Sequence, residues 1–318
     1  MKVVSFASLA YENKKKQTRR EKFLEEMDGV IPWKELLEVI KEHYPKAGNG
    51  RQPMPMERML RIYFMQQWYG LSDPAMEDAL YDIESMRRFA DIDIELDAIP
   101  DETTILNFRH LLEEHNLTRE IFEKTKSYLA EKGLLLREGT IVDATIINAP
   151  SSTKNREKAR DPEMHSTKKG NNYYFGMKAH VGTDTGRGLA HDVVVTDASV
   201  HDSQVMDELV HGEEQAVYGD KAYSDEKKKK EYEDRGTKWR VNLRGCRWRQ
   251  LTQAEVATNH EQSQTRAKVE HIFLVVKHLW RYTKVRYKGL HKNEVQILSL
   301  FALANLYLVR RELQVSGA

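Results

Sequence analysis

Three carboxylates in separate predicted elements could do chemistry together. Asp143 lies within the apolar, β-branched segment TIVDATIINA, Asp220 ends the segment AVYGD, and Glu270 lies in a long predicted helix. An unpaired aspartate inside an apolar strand is unfavourable, so its presence there needs a reason. Carboxylates that converge from different elements can hold two Mg²⁺ ions about 3.5–4 Å apart, which activate a nucleophile and stabilise the leaving oxygen of a phosphodiester. The pattern therefore predicts a two-metal site for phosphodiester chemistry.

Each of these acids also has an ordinary structural interpretation. An aspartate at the end of a strand can cap a helix or form a turn, and a glutamate in a helix can simply face solvent. Because the chain contains 49 acidic residues, the placement of the three supports the prediction and their number does not.

The predicted helix around Glu270 places two cations beside the acid. At about 100° per residue, Arg266, Glu270 and Lys277 fall on one face, next to an apolar stripe that would be buried. We expect Glu270 to bind metal and Arg266 and Lys277 to bind DNA phosphates. An i,i+4 salt bridge between Arg266 and Glu270, with an unrelated lysine, would give the same spacing.

The distribution of charge, more than its total, indicates a polyanionic partner. The formal net charge is only +1, but residues 263–292 contain eight cations and one anion. Nucleic acid would bind such a patch, and a solvated helix face would have the same composition.

The elements that must position the carboxylates follow a definite order from about residue 136. Three strands, a helix, a strand, a helix, a strand and a final helix predict an α/β ribonuclease H-like core with a mixed five-stranded sheet. The turn TDTGRG joins two strands and does not open a helix, which argues against a phosphate-binding loop. The polar residues 151–172 predict a mobile loop.

Residues 1–135 predict an all-α domain that precedes the catalytic domain of residues 136–318. Its helices show a stop at Gly70 and starts at Ser72 and Asp101. Short helices with tight turns fit a helix-turn-helix DNA-binding bundle and equally fit a dimerisation bundle. In the first alternative, the exposed residues near the start of the helix after Pro100 would face DNA: Thr103, Thr104, Asn107 and Arg109.

Further candidates lie around the core strands. Lys178 is predicted to contact DNA, and His201 and Asp202 are candidates for a position just behind the carboxylates, although hydrogen-bonded structural histidines are the simpler interpretation. Three aromatic residues near basic ones could stack on unpaired bases or simply pack: Tyr173, Tyr174 and Trp248.

Composition excludes several other classes of protein. The single cysteine, Cys246, excludes an internal disulfide and a cysteine-based zinc site. No apolar run approaches the length of a membrane helix, and the short apolar N-terminus precedes its basic cluster, which is the reverse of a signal peptide. We expect a cytoplasmic protein without a membrane partner.

Several segments resemble the bacterial insertion-sequence transposases with a DDE triad and, among them, the insertion sequence five family. TIVDATIINAPSSTKN carries Asp143, HGEEQ precedes Asp220, and RAKVEH carries Arg266 and Glu270; the other matching segments are DPEMHSTKKGN, FGMKAHVG, RYKGL, YPKAGNGR, MLRIYFMQQWYGLSDPAMEDALY and PDETTILNFRHLLE. The wider group has a Tyr–Arg–Glu–Lys signature, whose last three spacings are those of Arg266, Glu270 and Lys277. Ser263 stands in the position of the tyrosine.

This resemblance implies an enzyme that binds the terminal inverted repeats of its own element. With Mg²⁺ or Mn²⁺, two ions per site, it would expose 3′-hydroxyls and join them to target double-stranded DNA. Asp143, Asp220 and Glu270 would be both its catalytic and its metal-binding residues. It would act on the bacterial nucleoid as a homodimer or a larger homo-oligomer, because two transposon ends must react together.

Two alternatives use the same fold differently. A ribonuclease H-like nuclease would hydrolyse DNA without strand transfer. A domesticated regulator would keep the fold but use only its helical domain to bind DNA. Loss of a triad acid would favour the regulator, and all three acids are present.

Overall fold

A computed structural model describes Tyr11 and residues 14–50, 52–246 and 248–316. The apolar N-terminus considered for a signal peptide lies outside the described residues. The helices that precede the sheet are α1 (Arg19–Asp28), α2 (Trp33–Lys41), α3 (Met56–Tyr69), α4 (Asp73–Asp82), α5 (Glu84–Phe89), α6 (Glu102–Glu114) and α7 (Leu117–Glu131).

The ends of these helices follow local chemistry and confirm the predicted boundaries. Gly70 ends α3 at φ +66°, a left-handed conformation that glycine adopts without strain. The Ser72 side chain accepts a hydrogen bond from the Ala75 amide at the start of α4. The Asp101 side chain accepts one from the Thr104 amide at the start of α6.

The sheet has a core of five strands in the order β4–β3–β1–β5–β6, with a sixth strand, β2, added along β3. The strands are β1 (Gly139–Asn148), β2 (His165–Lys169), β3 (Asn172–Asp184), β4 (Ala190–Asp197), β5 (Ala216–Gly219) and β6 (Lys238–Val241). β4, β3 and β1 pair antiparallel, and β1, β5 and β6 pair parallel. The ribonuclease H-like core is confirmed, whereas the count of five strands omitted β2.

Residues 151–172 form the loop that their polarity predicts only in their first half. The second half of the segment contributes β2, which pairs with the N-terminal half of β3. In the first half, the Asp161 carboxylate accepts a hydrogen bond from the Gly289 amide at 2.7 Å, and Glu163 accepts one from the Leu290 amide at 2.7 Å. These carboxylates bind backbone amides at the start of the last helix, where negative charge is favourable.

The helices after the sheet strands also differ from the prediction. They are α8 (Glu226–Asp234), α9 (Gln253–Arg266), α10 (Val269–Phe273), a π-helical segment (Leu274–Leu279) and α11 (Leu290–Ser316). The helix predicted to run unbroken through Glu270 is interrupted between α9 and α10, at Ala267 and Lys268. The segment after β4, predicted as a helix, forms two short 3₁₀ turns at Asp202–Gln204 and Met206–Glu208.

One hydrophobic cluster joins the N-terminal helices, α11 and one face of the sheet. Within it, the Tyr63 hydroxyl of α3 lies 2.9 Å from the Ser299 hydroxyl of α11. The Asn305 side chain of α11 bonds to both the amide and the carbonyl of Ala190 at the start of β4, at 2.8 and 2.7 Å. The helices therefore support the sheet that carries the carboxylates. None of the helices in the described ranges is long and apolar enough to cross a membrane.

Candidate active site

The register of two parallel strands brings the two aspartates together. β1 and β5 pair from Gly139 with Ala216 to Ile141 with Tyr218. Continued by two residues, this register sets Asp143 opposite Asp220, and the negative charge of Asp220 acts on Asp143. Asp220 directly follows β5, and its carboxylate accepts a hydrogen bond from the Ala222 amide at 2.7 Å.

Asp143 is held by one backbone amide and one guanidinium. Its Oδ1 accepts from the Ala144 amide at 2.8 Å, and its Oδ2 accepts from Arg266 Nη1 at 2.9 Å. Burial raises the pKa of Asp143 to about 6, and the negative charges of Asp220 and Glu270 add to that rise against the effects of Ala144 and Arg266. Asp220 and Glu270 therefore both act electrostatically on Asp143.

Glu270 and the two cations predicted beside it, Arg266 and Lys277, form the second part of the site. Glu270 is exposed in the first turn of α10, so its carboxylate is free to reorient. Lys277 is half-buried and donates to Thr145 Oγ1 at 2.9 Å and to the Ile146 carbonyl at 3.1 Å, both on β1. Arg266 and Lys277 thus both contact β1 even though the helix between them is broken.

The oxygen-only donor set fits a hard divalent cation such as Mg²⁺ or Mn²⁺. Crowding of carboxylates around the half-buried Asp143, with its raised pKa, is a charge imbalance that a cation would relieve. Within the described part of the chain, no three His, Cys, Asp or Glu side chains form a ready-made metal site. Arg266 and the Ala144 amide each use one acceptor site of the Asp143 carboxylate, which leaves further lone pairs on both oxygens for a cation.

Family comparison decides which class of protein carries this arrangement. Residues 135–306, more than half of the chain, match the family model described as "Transposase DDE domain". The chain belongs to the DDE transposases. Residues 12–111 of this transposase match a second model, described as "Transposase domain (DUF772)". DDE transposases generally use divalent metal ions, and the matched DDE region contains all of the site residues described above.

A solved structure has a similar chain path. It is described as "Cryo-EM structure of piggyBac transposase synaptic complex with hairpin DNA (SNHP)". The two chains are 12% identical with a TM-score of 0.45, and the similarity covers 92% of this chain and 73% of that chain.

Behind the carboxylates of this DDE transposase lies a buried ion pair. Lys178 is only 8% exposed, and its ammonium donates to Asp202 Oδ1 at 2.8 Å and to the Val200 carbonyl at 2.6 Å. A carboxylate from the 3₁₀ turn after β4 therefore neutralises Lys178, and the DNA contact of this lysine stays a prediction.

Asp202 and His201, both candidates for a position behind the carboxylates, have different surroundings. The charges of Asp202, Asp143 and Asp220 all act on the buried Tyr223, whose pKa is raised first by burial and then by these acids. His201 is exposed and bonds to the Ser203 hydroxyl at 2.8 Å instead. Tyr223, three residues after Asp220, was not predicted, because a single tyrosine near an acid carries no distinguishing pattern.

The predicted DNA-contact residues of α6 differ in their exposure. Thr103 and Asn107 are exposed and Thr104 is half-buried, as a DNA-facing helix start requires. The expected exposure of Arg109 is wrong: the side chain is buried, bonded to Asp73 at 2.9 Å and 4.6 Å from the centre of the Tyr287 ring. A partner from α4 therefore removes Arg109 from the candidate DNA surface.

The remaining sequence candidates are placed as follows. Tyr173 and Trp248 are 75% and 89% exposed, and Tyr174 is half-buried. Ser263, which replaces the tyrosine of the signature, accepts a hydrogen bond from the Asn242 side chain at 2.9 Å. It therefore links α9 to the end of β6.

Proposed function

We propose that this DDE transposase cuts DNA at the terminal inverted repeats of its own insertion sequence and joins the exposed 3′-hydroxyls to target DNA. The observation that supports this proposal is the convergence of three acids. The register of β1 and β5 sets Asp143 opposite Asp220, and the charge of Glu270 acts on Asp143. The motif segments around these acids further suggest the insertion sequence five family.

Each residue of the site has a distinct role in this proposal. Asp143, Asp220 and Glu270 would hold two divalent cations, Mg²⁺ or Mn²⁺, which supply nucleophile activation and stabilisation of the leaving oxygen when bound. Arg266 would release Asp143 and pair with a phosphate instead, since its planar guanidinium suits both anions. Lys277 would hold a backbone phosphate beside the scissile bond.

Recognition of the ends is assigned to the helical region. Residues 1–135 would form the DNA-binding and dimerisation domain and residues 136–318 the catalytic domain. Thr103, Thr104 and Asn107 near the start of α6 would face the inverted repeat. Two ends must react together, so the active form would be a homodimer or a larger assembly on double-stranded DNA of the bacterial nucleoid.

The test uses purified protein, Mg²⁺ and a plasmid that carries the DNA flanking the gene. We expect 3′-hydroxyl ends at matching inverted repeats, followed by products joined to target DNA. Asp143→Asn, Asp220→Asn and Glu270→Gln should each lower both reactions to background while DNA binding persists, because the basic surface is unchanged.

Other outcomes separate the alternatives. Cutting without joined products would indicate a nuclease, and binding without cutting by the wild type would indicate a regulator. A Glu270→Gln variant that cuts at the normal rate would remove Glu270 from the mechanism.

A further inference from the structure

We infer that Asn242, which directly follows β6, belongs to the active site and that its side-chain oxygen is a further ligand for a divalent cation held by Asp220. The inference rests on the proposed function, because it needs a cation at the carboxylates. It adds a neutral oxygen from a third parallel strand to the three acids of the triad.

The pairing of β5 with β6 sets Asn242 opposite Asp220. These strands pair in parallel up to Gly219 with Val241. The backbone amide of Asn242 donates to the Gly219 carbonyl at 3.1 Å, which continues the ladder by one residue. Neighbouring strands lie about 4.8 Å apart, so a cation between the two side chains is within reach of both.

Asp143 and Asp220 point to one face of the sheet. Ile141 and Tyr218, two residues before the aspartates, both pack in the hydrophobic cluster that joins the sheet to α10 and α11. The backbone remains extended at Asp220, with φ −77° and ψ 176°. Because side chains alternate with a period of two along extended backbone, both aspartates follow onto this face.

Asn242 points to the same face, which α9 contacts. Its side-chain nitrogen donates to Ser263 Oγ of α9 at 2.9 Å. Arg266, three residues after Ser263, bonds to Asp143 Oδ2 at 2.9 Å from the same side of this helix. One turn of α9 therefore contacts the first and the third of the parallel strands, and β5 with Asp220 lies between them.

The side-chain oxygen of Asn242 is unused. It is buried and has no hydrogen-bond partner among the residues that the structure describes. A buried acceptor without a donor is unfavourable. Arg266 does not satisfy it, since this arginine directs Nη1 to Asp143 while its Nε is also buried and unpartnered within the described ranges. A ligand that binds this oxygen would therefore stabilise the site.

A divalent cation is a suitable ligand for this oxygen. Mg²⁺ and Mn²⁺ prefer oxygen donors, and amide carbonyls are among them. A neutral ligand also adds no negative charge where the carboxylates of Asp143 and Asp220 already lie opposite each other. Asparagine thus supplies an oxygen to the cation without increasing the repulsion between the acids.

The backbone beside Asn242 is fixed to α9. The Asn259 side chain of this helix accepts a hydrogen bond from the Leu243 amide at 2.8 Å and donates one to the Leu243 carbonyl at 3.1 Å. Asn259 lies one turn before Ser263. These contacts and the Ser263 bond together hold Asn242 at a set position, which a metal ligand requires.

Binding of Mn²⁺ to the full chain without DNA tests the inference, because electron paramagnetic resonance measures the free ion directly. Asp220→Asn gives the binding that does not belong to the site. Asn242→Ala should lower the affinity of the site for Mn²⁺ about tenfold, because one oxygen ligand is lost. Asn242→Asp keeps an oxygen at the same place and adds a negative charge, so it should bind Mn²⁺ at least as tightly as the wild type.

Ser263→Ala and Asn259→Ala are the matched controls. The first removes the bond to the Asn242 nitrogen and leaves the oxygen in place, and the second loosens the same junction one turn away. Both should bind Mn²⁺ within about twofold of the wild type. Equal losses in Ser263→Ala and Asn242→Ala would overturn the inference, because Asn242 would then act only by holding α9.

Asn242→Asp remains informative even if Asn242→Ala fails to fold. Weaker Mn²⁺ binding by Asn242→Asp than by the wild type would contradict a cation at this side chain. Failure of the proposed function has a different outcome, since the wild type and Asp220→Asn would then bind Mn²⁺ equally. Failure of this inference alone keeps that difference and leaves Asn242→Ala with the affinity of the wild type.

Discussion

Two arginine–aspartate pairs have almost the same geometry in different regions of the molecule. Arg109 and Asp73 join α6 to α4, and Arg266 and Asp143 join the end of α9 to β1. Each pair has a guanidinium nitrogen 2.9 Å from an Oδ2 atom, and each aspartate side chain is 17% exposed. Distance and burial therefore do not distinguish a structural ion pair from one in an active site.

The surroundings of the two pairs do distinguish them. Asp73 also accepts a hydrogen bond from the Gln66 side chain at 2.9 Å, and Arg109 lies over the Tyr287 ring. Asp143 has instead the two further carboxylates of the triad near it, and its pKa is raised to about 6. The Asp73 carboxylate has a counter-charge and a further donor and no other carboxylate of a triad beside it, whereas the sheet pair includes a carboxylate that additional positive charge would stabilise.

The largest expected difference is in stability. Arg109→Ala should lower the free energy of unfolding by about 3 kcal/mol, because it removes a buried guanidinium and its packing and leaves the half-buried Asp73 without its counter-charge. Arg266→Ala should cost less than about 1 kcal/mol, because Arg266 is more exposed and Asp143 can take up a proton near neutral pH. Urea unfolding of both variants at neutral pH measures the difference.

Double-mutant cycles with Asp73→Asn and Asp143→Asn control for the loss of each arginine alone. Coupling energies of equal size in the two cycles would contradict the distinction between the pairs.

A smaller effect is expected in how the folding stability of the wild type depends on pH when EDTA removes metal ions. The folded-state pKa of Asp143, about 6, lies above its ordinary value of 3.8, so the folded protein binds this proton more tightly than the unfolded chain. The stabilising contribution of the group is lost as pH rises from the lower value through the higher one. Asp143→Asn does not titrate, so its stability relative to the wild type should increase by about 1 kcal/mol between about pH 5 and pH 7.

Mg²⁺ should reverse that trend, because a cation that binds only the folded site stabilises the wild type and not Asp143→Asn. Asp73→Asn is the matched control and should leave the Mg²⁺ effect intact. If the difference in stability between Asp143→Asn and the wild type does not change with pH, Asp143 is already ionised at the lower pH.

Local patterns were sufficient to predict the elements that hold the triad. Apolar neighbours on both sides of Asp143 indicate a buried strand, and the spacing of Arg266, Glu270 and Lys277 indicates a common side. That side persists through the break between α9 and α10, because the guanidinium and the ammonium are each anchored to β1. Long flexible side chains tolerate a change in helix geometry that a helical wheel does not describe.

Distant partners account for the side-chain burial that was not predicted. Arg109 is buried by Asp73, 36 residues away, and Lys178 by Asp202, 24 residues away, and neither pairing has a local signal. β2 was missed because its sequence, HSTKK, has no apolar residue to alternate with polar ones. An exposed edge strand needs no apolar face, so hydrophobic periodicity is not informative there.

The smallest predicted effect compares Lys277, for which the structure shows no carboxylate partner among the described residues, with Lys178, which pairs with Asp202. Lys277→Ala should bind duplex DNA more weakly, with the magnitude of the salt slope lowered by roughly 0.9, the value for one lost phosphate contact. Its preference for the inverted repeat over random DNA should persist, because phosphate contacts carry no base information. Lys178→Met should keep the wild-type slope, since the charge it removes is already neutralised by Asp202.

Salt titration of both variants against the same duplex decides between two interpretations of the basic patch around Glu270. If only Lys277→Ala changes the slope, the lysine without a carboxylate partner contacts DNA and the paired lysine supports the sheet. An unchanged slope for Lys277→Ala would make Lys277 an ordinary surface cation, since its bonds to Thr145 and Ile146 would then satisfy it fully. A change in slope for Lys178→Met, with thermal unfolding showing an intact fold, would mean that the Lys178–Asp202 pair opens when DNA binds.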